Sequence, residues 1–167
     1  KDKINLLKDF CESKLGKGVI KCGDTPGFLG NRVGVYAMQI AMTEAIKMNL
    51  SVEEADAVFG RPMGIPKTGV FALYDLIGID LMSDVLKSFK KELPSSDDFQ
   101  KVIDGIPIIN KLIETGYTGR KGKGGFYRIN KSGNIKVLEA LDINKNEYFP
   151  SKKIDLQIDK VNLSKLI

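Results

Sequence analysis

The sequence predicts a mainly α-helical, multi-helix body that closes with a small hairpin and tail. Apolar residues recur at three- and four-residue spacing through most of the first 115 positions, and glycine- and proline-rich breakers separate those runs. Strand-like signals are confined to residues 18–22 and to the chain after Gly125. With 43% apolar residues in 167, the chain can close one core and little more.

The elements follow in order. KDKINLLKDFCESKLG sets Ile4, Leu7, Phe10 and Leu15 at helical spacing, with Leu6 and Cys11 beside them, and Gly16 and Gly18 close it. GVIKC, residues 18–22, reads as a short strand. A lone strand leaves its backbone donors and acceptors unsatisfied, so this helix and strand are expected to end a preceding sheet domain. The longest helix is expected from about Pro26 to Asn49, with Asp24 or Thr25 as N-cap and Pro26 in the first turn. Its apolar stripe is Leu29, Val33, Tyr36 and Ile40, joined by Ala37, Ala41, Ala45 and Met48. Ser51 and Glu54 form a capping box for a helix through Phe59.

The loop GRPMGIPKTG, residues 60–69, precedes the helix VFALYDLIG that Gly78 ends, and Asp80 is placed to cap a helix over residues 81–93. Pro107 opens a further helix that Gly116 stops. YTGRKGKGGFYRI is a basic glycine-rich turn running into an extended segment, with Ile135–Leu138 returning across N-K-S-G-N. From Asp142 onward the chain is polar and lysine-rich, and reads as a linker or tail.

Composition removes several kinds of chemistry. The chain holds no histidine, so Ser-His-Asp triads, Cys-His pairs and histidine zinc sites cannot be built within it. Cys11 and Cys22 fall outside any C-x-x-C pattern and read as packed, reduced thiols, which leaves no metal site. The net charge of +5 is spread thinly along the chain, without the basic runs interleaved with aromatics that nucleic acid favours. No apolar run reaches the roughly 18 residues of a membrane span, so a cytoplasmic protein is expected. Numbering that starts at Lys1 is expected of a processed product or a piece of a longer chain.

Three near-motifs fail, one of them the loop 60–69, which ends in Lys67-Thr68 with its glycines at the wrong spacing for a P-loop. Gly119 and Gly124 have the first spacing of a P-loop, but Gly125 and Phe126 stand where Lys and Ser/Thr are required. DINKNEYFPSKK, residues 142–153, begins like a calcium loop, yet Glu147 replaces the turn glycine and Lys153 the bidentate acid. No G-x-G-x-x-G follows a strand, so a dinucleotide-binding turn is absent.

Two glycines inside the longest helix need a cause. On a continuous helix Gly27, Gly30, Asn31, Gly34 and Met38 lie near one face, and each interior glycine costs about 1 kcal/mol relative to alanine. Either a neighbouring helix packs closely there, with Asn31 merely solvated, or a ligand approaches and Asn31 donates a hydrogen bond to its carbonyl oxygen. The pattern alone leaves both open.

DTPGFLGNR before a helix, MG-x-P in the next loop, FALYDLIGID, and GRKGKGGFY together resemble, in order and spacing, the C-terminal domain of 3-hydroxyacyl-CoA dehydrogenase. The resemblance implies a helical domain of the 6-phosphogluconate-dehydrogenase-like type. Residues 1–23 would end a preceding Rossmann domain, 24–128 would form the substrate-binding and dimerisation domain, and 129–167 would be a hairpin and linker. The longer loop IPKTGV before Phe71 and the tail are similar to the branch fused to an enoyl-CoA hydratase module. The implied activity is NAD-dependent oxidation of a 3-hydroxyacyl-CoA in fatty-acid β-oxidation, within a homodimer. Histidine, glutamate and NAD site would lie in the Rossmann portion, so this chain alone is expected to be inactive. The family's substrate-binding and catalytic asparagine falls on Asn31. For Arg120, Lys121, Lys123, Asp75, Asp80, Tyr127, Met63 and Phe71, solvation, capping or packing is the leading reading. The alternative function is a non-catalytic helical association module.

Overall fold

The computed structural model describes residues 2–63, 67–104, 106–132 and 135–156. Gly64 of the MG-x-P motif, the hairpin tip at Gly133 and Asn134, and the tail 157–167 lie outside the described residues. Six helices are described: α1 (Asp2–Leu15), α2 (Gly30–Lys47), α3 (Val52–Val58), α4 (Phe71–Ile77), α5 (Ile79–Glu92) and α6 (Ile108–Glu114). Short 3-10 turns occupy Arg61–Met63 and Asp98–Lys101. Strands β1 (Tyr127–Ser132), β2 (Ile135–Asp142) and β3 (Glu147–Pro150) form one antiparallel sheet in sequence order.

Helices α2 to α6 enclose a core centred on Met42, Val52, Phe71, Tyr74, Ile79 and Phe99. The sheet caps it through Phe126, Ala140 and Leu141, and Leu141 N–H donates to Phe126 O at 2.8 Å. Helix α1 stands apart from that core. None of its residues is buried, and Ile4, Leu6, Leu7, Phe10 and Leu15 are exposed. No helix of the described residues is long and apolar enough to cross a membrane.

Local signals appear where the sequence places them. Ser51 Oγ accepts Glu54 N–H at 3.2 Å while Glu54 Oε2 accepts Ser51 N–H at 2.8 Å, completing the capping box. Gly78 ends α4, Pro107 sits at the N-cap of α6, and Gly116 follows its C-cap with φ +82°.

Five features differ from expectation. GVIKC forms no strand, because no described strand lies beside it to satisfy its backbone. The longest helix starts at Gly30, uncapped by Asp24 or Thr25: residues 25–28 form a turn closed by Phe28 N–H to Thr25 O at 2.9 Å. Gly27 has φ +75°, and a Cβ there would lie 2.3 Å from Phe89 Cζ, so this turn is set by close packing on α5. The buried side of α2 is Val35, Gln39, Ala41, Met42 and Ala45, whereas Leu29, Val33, Ile40 and Met48 of the expected stripe are exposed. Asp80 lies exposed in the first turn of α5 and caps nothing, since α5 starts at Ile79.

The supposed tail continues the sheet. Asn144 and Lys145 N–H donate to Asp142 Oδ1 at 3.1 and 3.0 Å, Asn146 takes φ +55°, and β3 returns along β2. The oxygen-bearing residues that mimic a calcium loop are therefore the turn of the β2–β3 hairpin.

Candidate functional site: an open glycine strip and the hub behind it

Asn31 occupies the first turn of α2 and is exposed. Among the described residues its carboxamide has no hydrogen-bond partner. Outside the helix's own backbone, a Cβ at Gly30 or Gly34 would meet no atom within 4 Å. The strip is thus open to an approaching molecule, and Phe28, Leu29 and Val33 beside it are 58%, 44% and 61% exposed. No side chain caps the helix start and no acid lies in its first turn, so the partial positive charge of its N–H groups is unopposed there. Gly27, expected on the same face, belongs to the preceding turn instead.

Arg32, next to Asn31, points to a different element. Its Nη2 donates to Asp97 Oδ2, and both side chains are partly buried, at 29% and 20% exposure. Asp97 Oδ1 also accepts Phe99 N–H at 3.0 Å, capping the second 3-10 turn. That N–H bond first, and then Arg32, hold the Asp97 carboxyl below the usual carboxylate range. A cleft of about 580 Å³ lies over this junction, lined by Thr25, Phe28, Arg32, Tyr36, Asp97 and Phe99.

A second cluster explains two of the sequence motifs. Asp75, on α4 and 3% exposed, accepts Phe126 N–H at 2.8 Å and Tyr127 N–H at 2.7 Å. Its backbone oxygen accepts Arg120 N–H at 2.8 Å. The glycine loop wraps it closely: a Cβ at Gly125 would lie 1.9 Å from Asp75 Oδ1, and one at Gly119 would lie 2.4 Å from Asp75 O. FALYDLIGID and GRKGKGGFY are therefore two halves of one structural lock. Asp75 is an acceptor at its centre, and Phe71 fills the core beside it at 4.8 Å from the Phe126 ring centroid. Met63, Arg120, Lys121 and Lys123 are exposed.

Tyr127 does more than pack. Its hydroxyl donates to Asp56 Oδ2 at 2.9 Å, while Asp56 caps α4 by accepting Phe71 N–H at 2.6 Å and Ala72 N–H at 3.0 Å. Burial pushes Asp56 up to about 6 against the pull of these donors. Asp75 is likewise pushed up to about 6 by burial, with Asp56 adding to the rise. Burial and the nearby Asp56 charge raise the Tyr127 phenol well above its ordinary value. Sequence reasoning missed the roles of Asp56, Asp97 and Arg32. The S-S-D-D run after Pro94 carries a cap signal, but nothing in the sequence joins Asp97 to a residue 65 positions earlier.

Because the described sheet is antiparallel and carries no glycine turn between strand and helix, the described residues do not fit a dinucleotide.

The fold recurs in solved dehydrogenases. (S)-3-hydroxybutyryl-CoA dehydrogenase PaaH1 from Ralstonia eutropha superposes with TM-score 0.61 at 27% identity, over 78% of this chain and 44% of that one. FadB2 from M. tuberculosis gives TM-score 0.59 at 25% identity, over 73% and 41%. The class is thus a helical domain of the kind found as part of longer dehydrogenase chains. A family model for "3-hydroxyacyl-CoA dehydrogenase, C-terminal domain" matches residues 27–129, and the chain belongs to that family.

Relatives agree with this assignment. A Rickettsia prowazekii protein named for a fatty acid oxidation complex trifunctional enzyme is 41% identical over 159 residues, 95% of this chain and 22% of the relative. Mouse mitochondrial hydroxyacyl-coenzyme A dehydrogenase is 33% identical over 122 residues, 73% of this chain and 37% of the relative. The chain thus spans about a fifth to a third of the length of these two relatives.

Proposed function

We propose that this chain is the substrate-facing helical domain of an NAD-dependent 3-hydroxyacyl-CoA dehydrogenase, in which a 3-hydroxyacyl-CoA is oxidised to the 3-oxoacyl-CoA. The observation that carries this reading is the open strip of Gly30, Asn31 and Gly34, which leaves a neutral carboxamide and unopposed helix N–H groups facing outward. A carboxamide donor suits an oxygen that passes between alcohol and ketone, because it bonds both forms and favours the more negative one. Asn31 is then a catalytic and substrate-binding residue.

The remaining machinery is assigned to the rest of the parent chain: NAD and the acid-base residues to a preceding Rossmann portion. The exposed apolar side of α1 supports a covering sheet domain over residues 1–23. Exposed Val33 and Ile40 on α2 support a homodimer made through the helical domain. A downstream enoyl-CoA hydratase module fits the relative named for a trifunctional enzyme. The chain alone, without histidine, is inactive on this reading.

The test is Asn31→Ala in the full-length parent, assayed with 3-oxoacyl-CoA and reduced cofactor. A fall in kcat of more than about tenfold, about 1.4 kcal/mol of transition-state stabilisation, is expected. An unchanged kcat would return Asn31 to the solvated surface and favour the non-catalytic association module.

A further inference from the structure

The first turn of α2 is intrinsically weak. It has no side-chain cap, begins on Gly30, reaches Gly34 within two turns, and follows a turn in which Phe28 holds φ +48°. A missing cap and an interior glycine each lower helix stability. A carboxamide needed in one position is carried on the part of the helix most prone to fray.

A side chain from that same turn is tied down. Arg32 reaches across to Asp97, whose other oxygen is fixed by Phe99 N–H, and Phe99 packs edge-on against Phe89 at 5.0 Å and tilted against Tyr36 at 5.8 Å. Phe89 is the ring on which Gly27 rests. The turn before α2 and the first turn within it are thus held by one unit formed by the end of α5 and the second 3-10 turn.

We propose that Arg32 and Asp97 form a positioning latch that keeps the first turn of α2 wound and Asn31 in place for the 3-oxygen of the substrate. Both are positioning residues, since neither is required to touch the reacting atoms. The inference rests on the reading of Asn31 given above. It differs from a general stabilising ion pair in one respect: its loss acts on turnover through Asn31.

The experiment uses the full-length parent enzyme and the variant Asp97→Ser. A serine retains an oxygen to accept Phe99 N–H but is too short to reach Arg32, so the cap stays and the latch is lost. Arg32→Met is the second variant, which keeps the apolar stem against its neighbours. Each is expected to lower kcat about tenfold, the scale of a small misplacement of a reacting group, with a lesser change in KM and a melting temperature within a few degrees of wild type. Asp97→Glu is expected to restore most of the activity.

The deciding arm combines each change with Asn31→Ala. If the latch acts through Asn31, Asp97→Ser lowers kcat no further in the Asn31→Ala background. Equal losses in both backgrounds, or an unchanged kcat in the single variants, would overturn the latch. If the variants fold poorly, Asp97→Glu with wild-type melting but undiminished loss of kcat would also overturn it. Should Asn31→Ala itself leave kcat unchanged, the reading of Asn31 fails first, and the two failures are told apart by that single variant.

Discussion

Replacing Gly125 by alanine probes the lock between the FALYDLIGID helix and the glycine loop. The new Cβ would stand 1.9 Å from Asp75 Oδ1 and 2.8 Å from Ile79 Cδ1. The terminal methyl of Ile79 can swing away; the carboxylate cannot do so without leaving Phe126 and Tyr127 N–H, which it accepts at 2.8 and 2.7 Å. Hydrogen bonds to a charged group contribute about 1.5–3 kcal/mol each, so displacing Asp75 costs about 3 kcal/mol or more. For a chain of this size that lowers the melting temperature by about 6–12 °C. Urea unfolding measures the loss directly, and in an Asp75→Ala background the same glycine change should cost less than about 1 kcal/mol, because the obstacle is gone. A wild-type unfolding free energy for Gly125→Ala, or equal losses in both backgrounds, would refute the lock.

Other outcomes follow from the same geometry. Asp56, raised by burial from 3.8 to about 6, holds a proton in the folded chain that the unfolded chain releases. Its stabilising contribution is therefore full below about pH 4 and is lost as pH rises through about 6, on the order of 3 kcal/mol, and Asp56→Asn should flatten that part of a stability-versus-pH curve measured by urea titration. Gly34→Ala meets no atom within 4 Å outside the helix's own backbone, so it should stabilise the chain by about 1 kcal/mol while raising KM for acyl-CoA in the parent. Gain of stability with unaltered kinetics would mean that nothing approaches the strip. Val33, 61% exposed on the same helix, should on change to Asp shift the homodimer proposed for the parent toward monomer in analytical ultracentrifugation, with little effect on folding.

How far the sequence reached depended on the range of each signal. The α3 capping box, the Gly78 and Gly116 stops and the β1–β2 hairpin are written in neighbouring residues, so they were legible. The buried side of α2 was not. Leu29, Val33 and Ile40 are as apolar as Val35 and Met42, and only the packing of α3 to α6 decides which set is covered. Strand β3 is only four residues long, too short to show a period, and its turn uses the oxygen-rich residues that make a polar tail look structureless. The motifs around Asp75 were visible as strings, but their shared purpose was not, because Asp75 meets Phe126 across 51 positions and Asp56 meets Tyr127 across 71.

The strip at the start of α2 carries the functional account, and a crystal structure of the full-length parent with bound 3-oxoacyl-CoA examines it most directly. The Asn31 carboxamide nitrogen is expected about 3 Å from the C3 oxygen, with the thioester lying along Gly30 and Gly34. A structure with that strip covered by another part of the protein, and the C3 oxygen bound elsewhere, would contradict it.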